Sequence, residues 1–179
     1  GEVPVMIESG EYACAWAFSY LEPLEDSNVI YSFHVYEPYG YTNWKENQGR
    51  LRYPGDISTG DGGPLRWDKA RLEGFLKPVS EWQAKNSVPS SRIMAAEFGC
   101  DRRVSGAGKY LADLVALFGE KGWHWAFYSF REDTWDAMDY ELGTGKAGWD
   151  YWKDREAGRE PLSSWHDEPL FNILKDALP

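Results

Sequence analysis

Residues 92–99, RIMAAEFG, contain a short apolar run that ends in a carboxylate and a glycine. A run of this length is typical of a strand that is buried on both faces of a parallel sheet. Burial of Glu97 at the end of such a strand is costly unless the carboxylate is paired or used in chemistry. The stretch therefore predicts a strand and a candidate site residue. A structural ion pair of Glu97 with Arg102 or Arg103 is the alternative.

Similar apolar runs recur along the chain, and they alternate with amphipathic stretches. We predict strands at residues 3–7, 28–36, 92–98 and 123–130. We predict helices at residues 12–21, from residue 68 through 82, at 106–121 and at 169–178. Pro78 should kink the second helix.

The resulting order, βαβαβαβα, implies an α/β fold with a parallel sheet and right-handed crossovers. The sequence shows no hinge, so we predict one (β/α)4 domain over residues 1–179. The two longest loops both follow strands, one of them over residues 37–65. Long loops at the carboxyl ends of strands are typical of a (β/α) barrel, whose active site they build.

Composition excludes several classes of function. The net charge of −10 argues against nucleic-acid binding, which needs a basic surface. There is no apolar run of about 18 residues, so we predict no membrane span. The 10 Trp, 11 Tyr and 8 Phe are in excess. They indicate either an aromatic-rich core or a groove whose flat faces suit sugar rings.

Metal and cofactor chemistry has no support in the sequence. Cys14 and Cys100 form no Cys-x-x-Cys pair, and we expect two free thiols rather than a disulfide. The three histidines lack metal-ligand spacing. Residues 143–148 satisfy Gly-x-Gly-x-x-Gly, but no helix pattern follows, so we interpret them as a loop. We predict neither a metal nor a cofactor.

A second strand also ends in polar residues. In VIYSFHVYEP, residues 29–38, His34 and Tyr36 are two positions apart, so both side chains point to the same face. An imidazole or phenol beside a carboxylate can orient it and keep it ionised. Taken alone, His34 would be a core histidine; it becomes a candidate because Glu97 ends a neighbouring strand.

Together, VIYSFHVYEP, the strand ending Ala-Glu-Phe-Gly and WHWAFYSF (residues 123–130) resemble strands six, seven and eight of glycoside hydrolase family 5, the cellulase and mannanase family of (β/α)8 barrels. The resemblance implies that the chain is the carboxyl-terminal half, strands five to eight, of a TIM barrel. Four parallel strands leave two unpaired edges and an uncovered inner face. We therefore expect either dimerisation or a missing amino-terminal half to complete the barrel.

The resemblance also implies roles for individual residues. Glu97 matches the nucleophile of a retaining hydrolase, and His34 and Tyr36 match a His-x-Tyr that lines the central subsite. Phe130 falls where the family carries an aromatic platform. Trp44 and Trp135, on adjoining loops, are expected to extend that platform. Arg131 and Glu132 face either the groove or solvent.

The acid/base of the family is missing. Its glutamate lies in an Asn-Glu-Pro motif on strand four, and this chain contains no such motif. Retaining hydrolysis needs a second carboxyl about 5–5.5 Å from the nucleophile. Glu37, in Tyr-Glu-Pro at a strand end, is the substitute acid that we favour. Glu8 and Glu168 are weaker candidates.

The resemblance implies a secreted endo-β-1,4-glucanase that acts on β-glucan polysaccharide or oligosaccharide. A mannanase or β-glucosidase of the same family is an alternative. A different class is a half barrel that binds polysaccharide without cleaving it, and a third is an inert fragment.

Overall fold

The computed structural model describes residues 3–59, 62–130, 137–141, 149–159 and 168–178. The strands in this part of the chain are β1 (Val5–Glu8), β2 (Val29–Val35), β3 (Gly55–Ile57), β4 (Leu65–Trp67), β5 (Ile93–Phe98) and β6 (His124–Trp125). The helices are α1 (Gly10–Ala13), α2 (Tyr39–Thr42), α3 (Trp44–Asn47), α4 (Lys69–Lys85), α5 (Ala107–Lys121), α6 (Trp149–Glu156) and α7 (Pro169–Asp176), with 3₁₀ helices at Ala15–Tyr20 and Ser90–Arg92.

The four predicted strands form one sheet in the order β1-β2-β5-β6, and every neighbouring pair is parallel. Helix α4 connects β2 to β5, and α5 connects β5 to β6. This arrangement confirms the predicted parallel half of a (β/α) barrel.

The core lies between the sheet and its helices. Alternate residues of β2 (Tyr31, Phe33 and Val35) are fully buried on the helix side. The Phe33 ring packs edge-on against the rings of Phe118 on α5 and Trp123 before β6. Much of the aromatic excess is thus core, as expected from the large area that such rings bury.

Helices α4, α5 and α7 begin within one residue of their predicted starts and end within three residues of their predicted ends, whereas the first predicted helix differs. Asp68 caps α4, since its carboxylate accepts a hydrogen bond from the Arg71 amide at 3.1 Å. Pro78 lies inside α4, which continues through it. The predicted helix at 12–21 is instead a 3₁₀ helix preceded by α1. Glu11, Tyr12 and Ala13 there have positive φ.

The segment after β2, predicted as a loop, contains α2, α3 and the β3–β4 hairpin. Two tyrosines attach it to the region of α5. The Tyr53 hydroxyl donates to Oδ2 of the buried Asp113 at 2.8 Å, and the Tyr41 hydroxyl donates to the Ser105 carbonyl at 3.1 Å. These hydrogen bonds hold the segment against the carboxyl-terminal edge of the sheet.

The strand predicted at 123–130 is shorter, because regular pairing covers His124 and Trp125 alone. The chain still follows β5 beyond that point: the Ala126 amide donates to the Ala95 carbonyl and the Tyr128 amide to the Phe98 carbonyl. Helix α6 was missed by the sequence analysis. The cysteines are both free, as predicted.

The inner face of the sheet is open among the described residues. Met6 of β1 is 49% exposed, and its register partner Ile30 is half-buried, as is Met94 on the same face of β5. Val5, on the helix side of β1, is also exposed. The sequence predicted a first strand buried on both faces; the structure shows an edge strand that lacks a cover.

Candidate active site

The candidate site forms where β2 and β5 end. Parallel strands bring their carboxyl ends to the same edge of the sheet, so His34 and Glu97 become register partners. The pairing shifts by one residue at this point: Phe33 pairs with Ala95, and His34 pairs with Glu97. Ala96 is the extra residue of a β-bulge.

The bulge decides which way Glu97 points. Side chains alternate between the two faces of a strand, so regular pairing would place Glu97 opposite Val35, on the face covered by helices. The extra residue moves Glu97 to the inner face, where His34 lies. It also returns Phe98 to the buried face opposite Val35. Bulges frequently re-aim a side chain next to a site in this way.

Glycine is required directly after β5. A Cβ on Gly99 would lie 2.7 Å from both the Tyr128 carbonyl oxygen and the Tyr140 hydroxyl, and 2.8 Å from Cε of Met138. The chain at position 99 therefore passes so close to Tyr128 and Tyr140 that no residue with a side chain fits there.

Glu97 receives a hydrogen bond from Tyr36. The hydroxyl of Tyr36 donates to Oε2 of Glu97 at 2.8 Å. Burial, followed by this hydrogen bond to Glu97, raises the pKa of Tyr36 well above its ordinary value. The phenol therefore keeps its proton and remains a donor at neutral pH. The Glu97 side chain is 40% exposed, so it is open to a ligand as well.

His34 lies between two carboxylates. Its Nε2 is 3.2 Å from Oε1 of Glu8, at the end of β1, and its Nδ1 is 3.6 Å from Oε2 of Glu97. Glu8 belongs to this cluster as a neighbour of His34, a position that the sequence analysis did not foresee.

The alternative explanation of Glu97 as an arginine partner does not match the geometry. Arg103 is paired with Asp101 through Nε at 2.8 Å and a terminal nitrogen at 2.5 Å. Arg102 is buried and donates to the carbonyl of Asp139 at 3.2 Å.

A groove of about 850 Å³ opens beside Glu97, and aromatic and polar side chains line it. The lining residues are Tyr12, His34, Tyr36, Tyr39, Thr42, Asn43, Trp44, Lys45, Glu46, Glu97, Cys100, Asp101, Tyr128 and Met138. The site is therefore a cleft with several aromatic faces near one positioned carboxylate, which is the form that ligand sites usually take.

Trp44 is held in place from behind. The guanidinium of Arg103 lies 4.8 Å from the centre of its ring, as in a cation–π contact. The bond between Arg103 and the buried Asp101 fixes that guanidinium. Trp44 thus lines the groove, and its indole is a supported surface.

Glu37 does not lie on the groove wall, and this corrects the prediction of a substitute acid. Its Oε2 accepts a hydrogen bond from the Tyr36 amide at 3.1 Å, and its Oε1 lies 4.0 Å from Sγ of Cys14. Neighbouring residues of an extended chain point to opposite sides, so Glu37 turns away where Tyr36 turns inward.

Phe130 is also placed differently from the prediction. Its ring stacks on Phe171 of α7, with centroids 6.0 Å apart, and lines a separate apolar recess with Trp125 and Phe127. The ring thus packs on the apolar face of α7, although about half of its surface (53%) stays exposed. Tyr128, two residues earlier, lines the groove instead.

Several predictions fall on parts of the chain outside the described residues. These are Trp135, Arg131, Glu132 and the glycine-rich residues 143–148. Glu168 is described: it stands at the N-cap of α7 and is not among the residues that line the groove.

The groove contains aromatic residues that the sequence analysis missed. Tyr12 is 96% exposed and lies in the turn after β1, and Tyr39 is 58% exposed and opens α2. Both follow strand ends, which is the signal that would have selected them, since loops at strand carboxyl ends build the site of such a fold.

Within the described ranges, no group of three or more His, Cys, Asp or Glu side chains is arranged to hold a metal ion. Helices in those same ranges are all too short or too polar to cross a bilayer.

Comparison with solved structures shows what the fold resembles. The Thermotoga maritima Cel5A structure with mannotriose matches with a TM-score of 0.63 at 20% identity, covering 96% of this chain and 47% of that one. The same enzyme with cellobiose matches with a TM-score of 0.61 at 19% identity and the same coverage. Clostridial cellulose synthase subunit Z from Clostridioides difficile matches with a TM-score of 0.61 at 16% identity, covering 83% and 46%.

The chain therefore has the fold of about half of an endoglucanase-type barrel and spans about half the length of these structures. The predicted resemblance to half a family 5 barrel is confirmed at the level of the fold. No protein-family model matches the sequence, and no curated protein matches it.

The position of Glu37 predicts a pH effect on stability. Burial raises the pKa of Glu37 above its ordinary value. A carboxyl with a higher pKa when folded holds its proton more tightly in the folded state. Its contribution to stability is thus complete below the ordinary range, near pH 4.3, and is lost as the pH rises through the folded pKa.

We expect the free energy of unfolding to fall less steeply with rising pH in Glu37→Gln than in the wild type, since the amide never ionises. Urea unfolding at a series of pH values measures this. Glu25→Gln, which changes an exposed carboxylate, should keep the wild-type dependence. An identical pH dependence in Glu37→Gln and the wild type would contradict the assignment.

Proposed function

We propose that the chain is the nucleophile-bearing half of a retaining glycoside hydrolase that acts on β-1,4-linked glucan, an endo-β-1,4-glucanase, with Glu97 as nucleophile. The observation that carries the proposal is the 2.8 Å hydrogen bond from Tyr36 to Glu97 on the wall of an aromatic groove. The fold of half an endoglucanase barrel supports it.

In this proposal the carboxylate of Glu97 attacks the anomeric carbon and forms a covalent glycosyl-enzyme, which water then hydrolyses. Tyr36 holds the carboxylate in one orientation, because the phenol keeps its proton and donates to a fixed oxygen. Trp44 and Tyr39 provide apolar faces for the C–H sides of sugar rings. The supported indole of Trp44 would bind a ring without first having to become ordered.

The reaction also needs a proton donor for the leaving oxygen. The carboxyl side chains on the described wall of the groove, besides Glu97, are Glu46 and Asp101. Asp101 is buried and paired with Arg103, so it has no position for proton transfer. Glu46 is exposed on α3, and no described side chain holds its carboxylate in place over the leaving oxygen. We therefore propose that the acid comes from the half that completes the barrel. The matched endoglucanase chains are about twice as long as this chain.

Activity assays with different sugars determine the specificity within this class. The Cel5A structures are complexes with cellobiose and with mannotriose, so β-1,4-glucan and mannan are both substrates to test, alongside short β-glucosides. We further propose secretion, because polymeric substrates do not enter cells.

A second candidate is a half barrel that binds polysaccharide and does not cleave it. The observation that favours this candidate is the single positioned carboxylate in the described part of the groove, since Glu97 alone is oriented by a donor and open to a ligand.

A mechanism-based label separates the two candidates. A 2-deoxy-2-fluoro-β-cellobioside with a dinitrophenyl leaving group needs little acid assistance and traps the glycosyl-enzyme. We expect mass spectrometry to find the label on the peptide that contains Glu97, and we expect none on Glu97→Gln. The control variant Glu25→Gln should label like the wild type.

Outcomes other than labelling at Glu97 are equally informative. Absence of label in the wild type, together with retained binding to soluble cellulose, would favour the binding module. Label on another residue, or undiminished labelling of Glu97→Gln, would contradict the assignment of the nucleophile.

We also propose that the open inner face is completed by a second (β/α)4 half, either a second copy of the chain or a complementary amino-terminal half. The support is the exposure of Met6 together with strands β1 and β6, whose outer edges have no described partner strand. An open parallel sheet with an apolar face favours association.

Light scattering on the chain alone tests this. If two copies associate, we expect twice the 20.5 kDa chain mass, and Met6→Lys should lower that mass towards the monomer. If the chain stays a monomer, we expect it to bind a hydrophobic dye on its open face. The matched control is Val3→Lys, which introduces the same side chain at an exposed position. A monomer that binds no dye would show that the face needs no cover.

A further inference from the structure

The imidazole of His34 has a carboxylate on each side. Glu8 ends β1 and faces Nε2, whereas Glu97 ends β5 and faces Nδ1. A neutral imidazole carries one proton, so one nitrogen donates and the other accepts. Glu8 and Glu97 therefore compete for a single hydrogen bond from His34.

The distances favour Glu8. The Nε2–Oε1 separation of 3.2 Å lies at the long end of the hydrogen-bond range, whereas the Nδ1–Oε2 separation of 3.6 Å lies beyond it. The place of Glu8 is fixed by the sheet, because Glu8 is the register partner of Ser32. The hydroxyl of the fully buried Ser32 lies 3.5 Å from the same Glu8 oxygen.

We propose that Glu8 is a positioning residue, which accepts a hydrogen bond from the protonated Nε2 of His34 and so leaves Nδ1 as an acceptor facing Glu97 and the groove. Glu97 then receives its hydrogen bond from Tyr36 and none from His34. Nδ1 is available to accept from a hydroxyl group of a bound sugar. The tautomer is a property of the chain itself; what Nδ1 does for a sugar rests on the proposed function.

Two consequences follow for the proposed reaction. A carboxylate with fewer donors keeps more of its charge on the attacking oxygen, so the Nε2-protonated tautomer favours attack by Glu97. In the same tautomer, the subsite favours sugars that have a hydroxyl group placed to donate a hydrogen bond to Nδ1 of His34. Polar groups fixed in this way discriminate strongly between ligands.

Glu8→Gln is the informative change, because it keeps the shape of the side chain. The new amide can donate to Nε2, which lets the ring move its proton to Nδ1 and donate to the carboxylate of Glu97. The tautomer of His34 should therefore switch. Glu25→Gln removes one charge far from the ring and is the matched control.

Long-range ¹H–¹⁵N correlation spectra of the chain report the tautomer directly. At about pH 8, above the ordinary titration range of histidine, we expect Nε2 protonated and Nδ1 unprotonated in the wild type and in Glu25→Gln. We expect the reverse in Glu8→Gln. The His34 signals are assigned by their loss in His34→Gln. Unchanged spectra of the other two histidines show that each variant is folded.

A wild-type ring protonated on Nδ1 or on both nitrogens at this pH overturns the proposal, and this result needs no variant to fold. An unchanged His34 pattern in both Glu8→Gln and Glu8→Ala overturns it as well, since the amide oxygen of glutamine can still accept from Nε2 whereas alanine leaves no acceptor at position 8. With an aryl cellobioside, we expect Glu8→Gln to lower kcat and to raise KM, because the switched ring donates to Glu97 and no longer accepts from a sugar hydroxyl. If the tautomer switches but the protein is neither labelled nor able to turn over substrate, the role of Glu8 is supported and the proposed hydrolase function is ruled out.

Discussion

One extra residue in β5 determines the site. The bulge at Ala96 turns Glu97 from the helix side of the sheet to its inner face, opposite His34. Without that shift, the carboxylate would enter the core beside Val35, where an unpaired charge is very costly. The bulge avoids that cost and places a charged group at the carboxyl-terminal edge of the sheet.

The rest of the site is arranged around the position that the bulge creates. Tyr36 donates to Glu97, and the close approach of the chain at Gly99 is possible because that residue has no side chain. Trp44 is braced by Arg103, which Asp101 holds in turn. Each of these groups is fixed by neighbours before any ligand arrives, so little ordering remains to be done on binding.

Much of the fold was readable from the sequence because hydrophobic periodicity reports burial. It located the four parallel strands and the long helices α4 and α5. It failed where tertiary contacts decide: β6 shortens where regular pairing with β5 stops, and the first predicted helix is a 3₁₀ helix. The hairpin β3–β4 has three-residue strands, which are too short for a period to be recognised.

For the site, sequence patterns brought together Glu97, His34 and Tyr36, which the structure places side by side. Glu37 was misplaced because the sequence analysis did not apply the alternation of side chains beyond the end of β2. Phe130 was misplaced because the fold offers it the apolar face of α7. The relation of Glu8 to His34 was not predictable, since it depends on the register of two strands that are 20 residues apart in the chain.

A crystal structure of the chain at a resolution that fixes side-chain rotamers tests the central claim most directly. The account predicts the Glu97 carboxylate on the inner face, with the Tyr36 hydroxyl at hydrogen-bond distance and Ala96 as the bulged residue. A regular β2–β5 ladder with Glu97 opposite Val35, or a carboxylate paired with an arginine away from His34 and Tyr36, would contradict it.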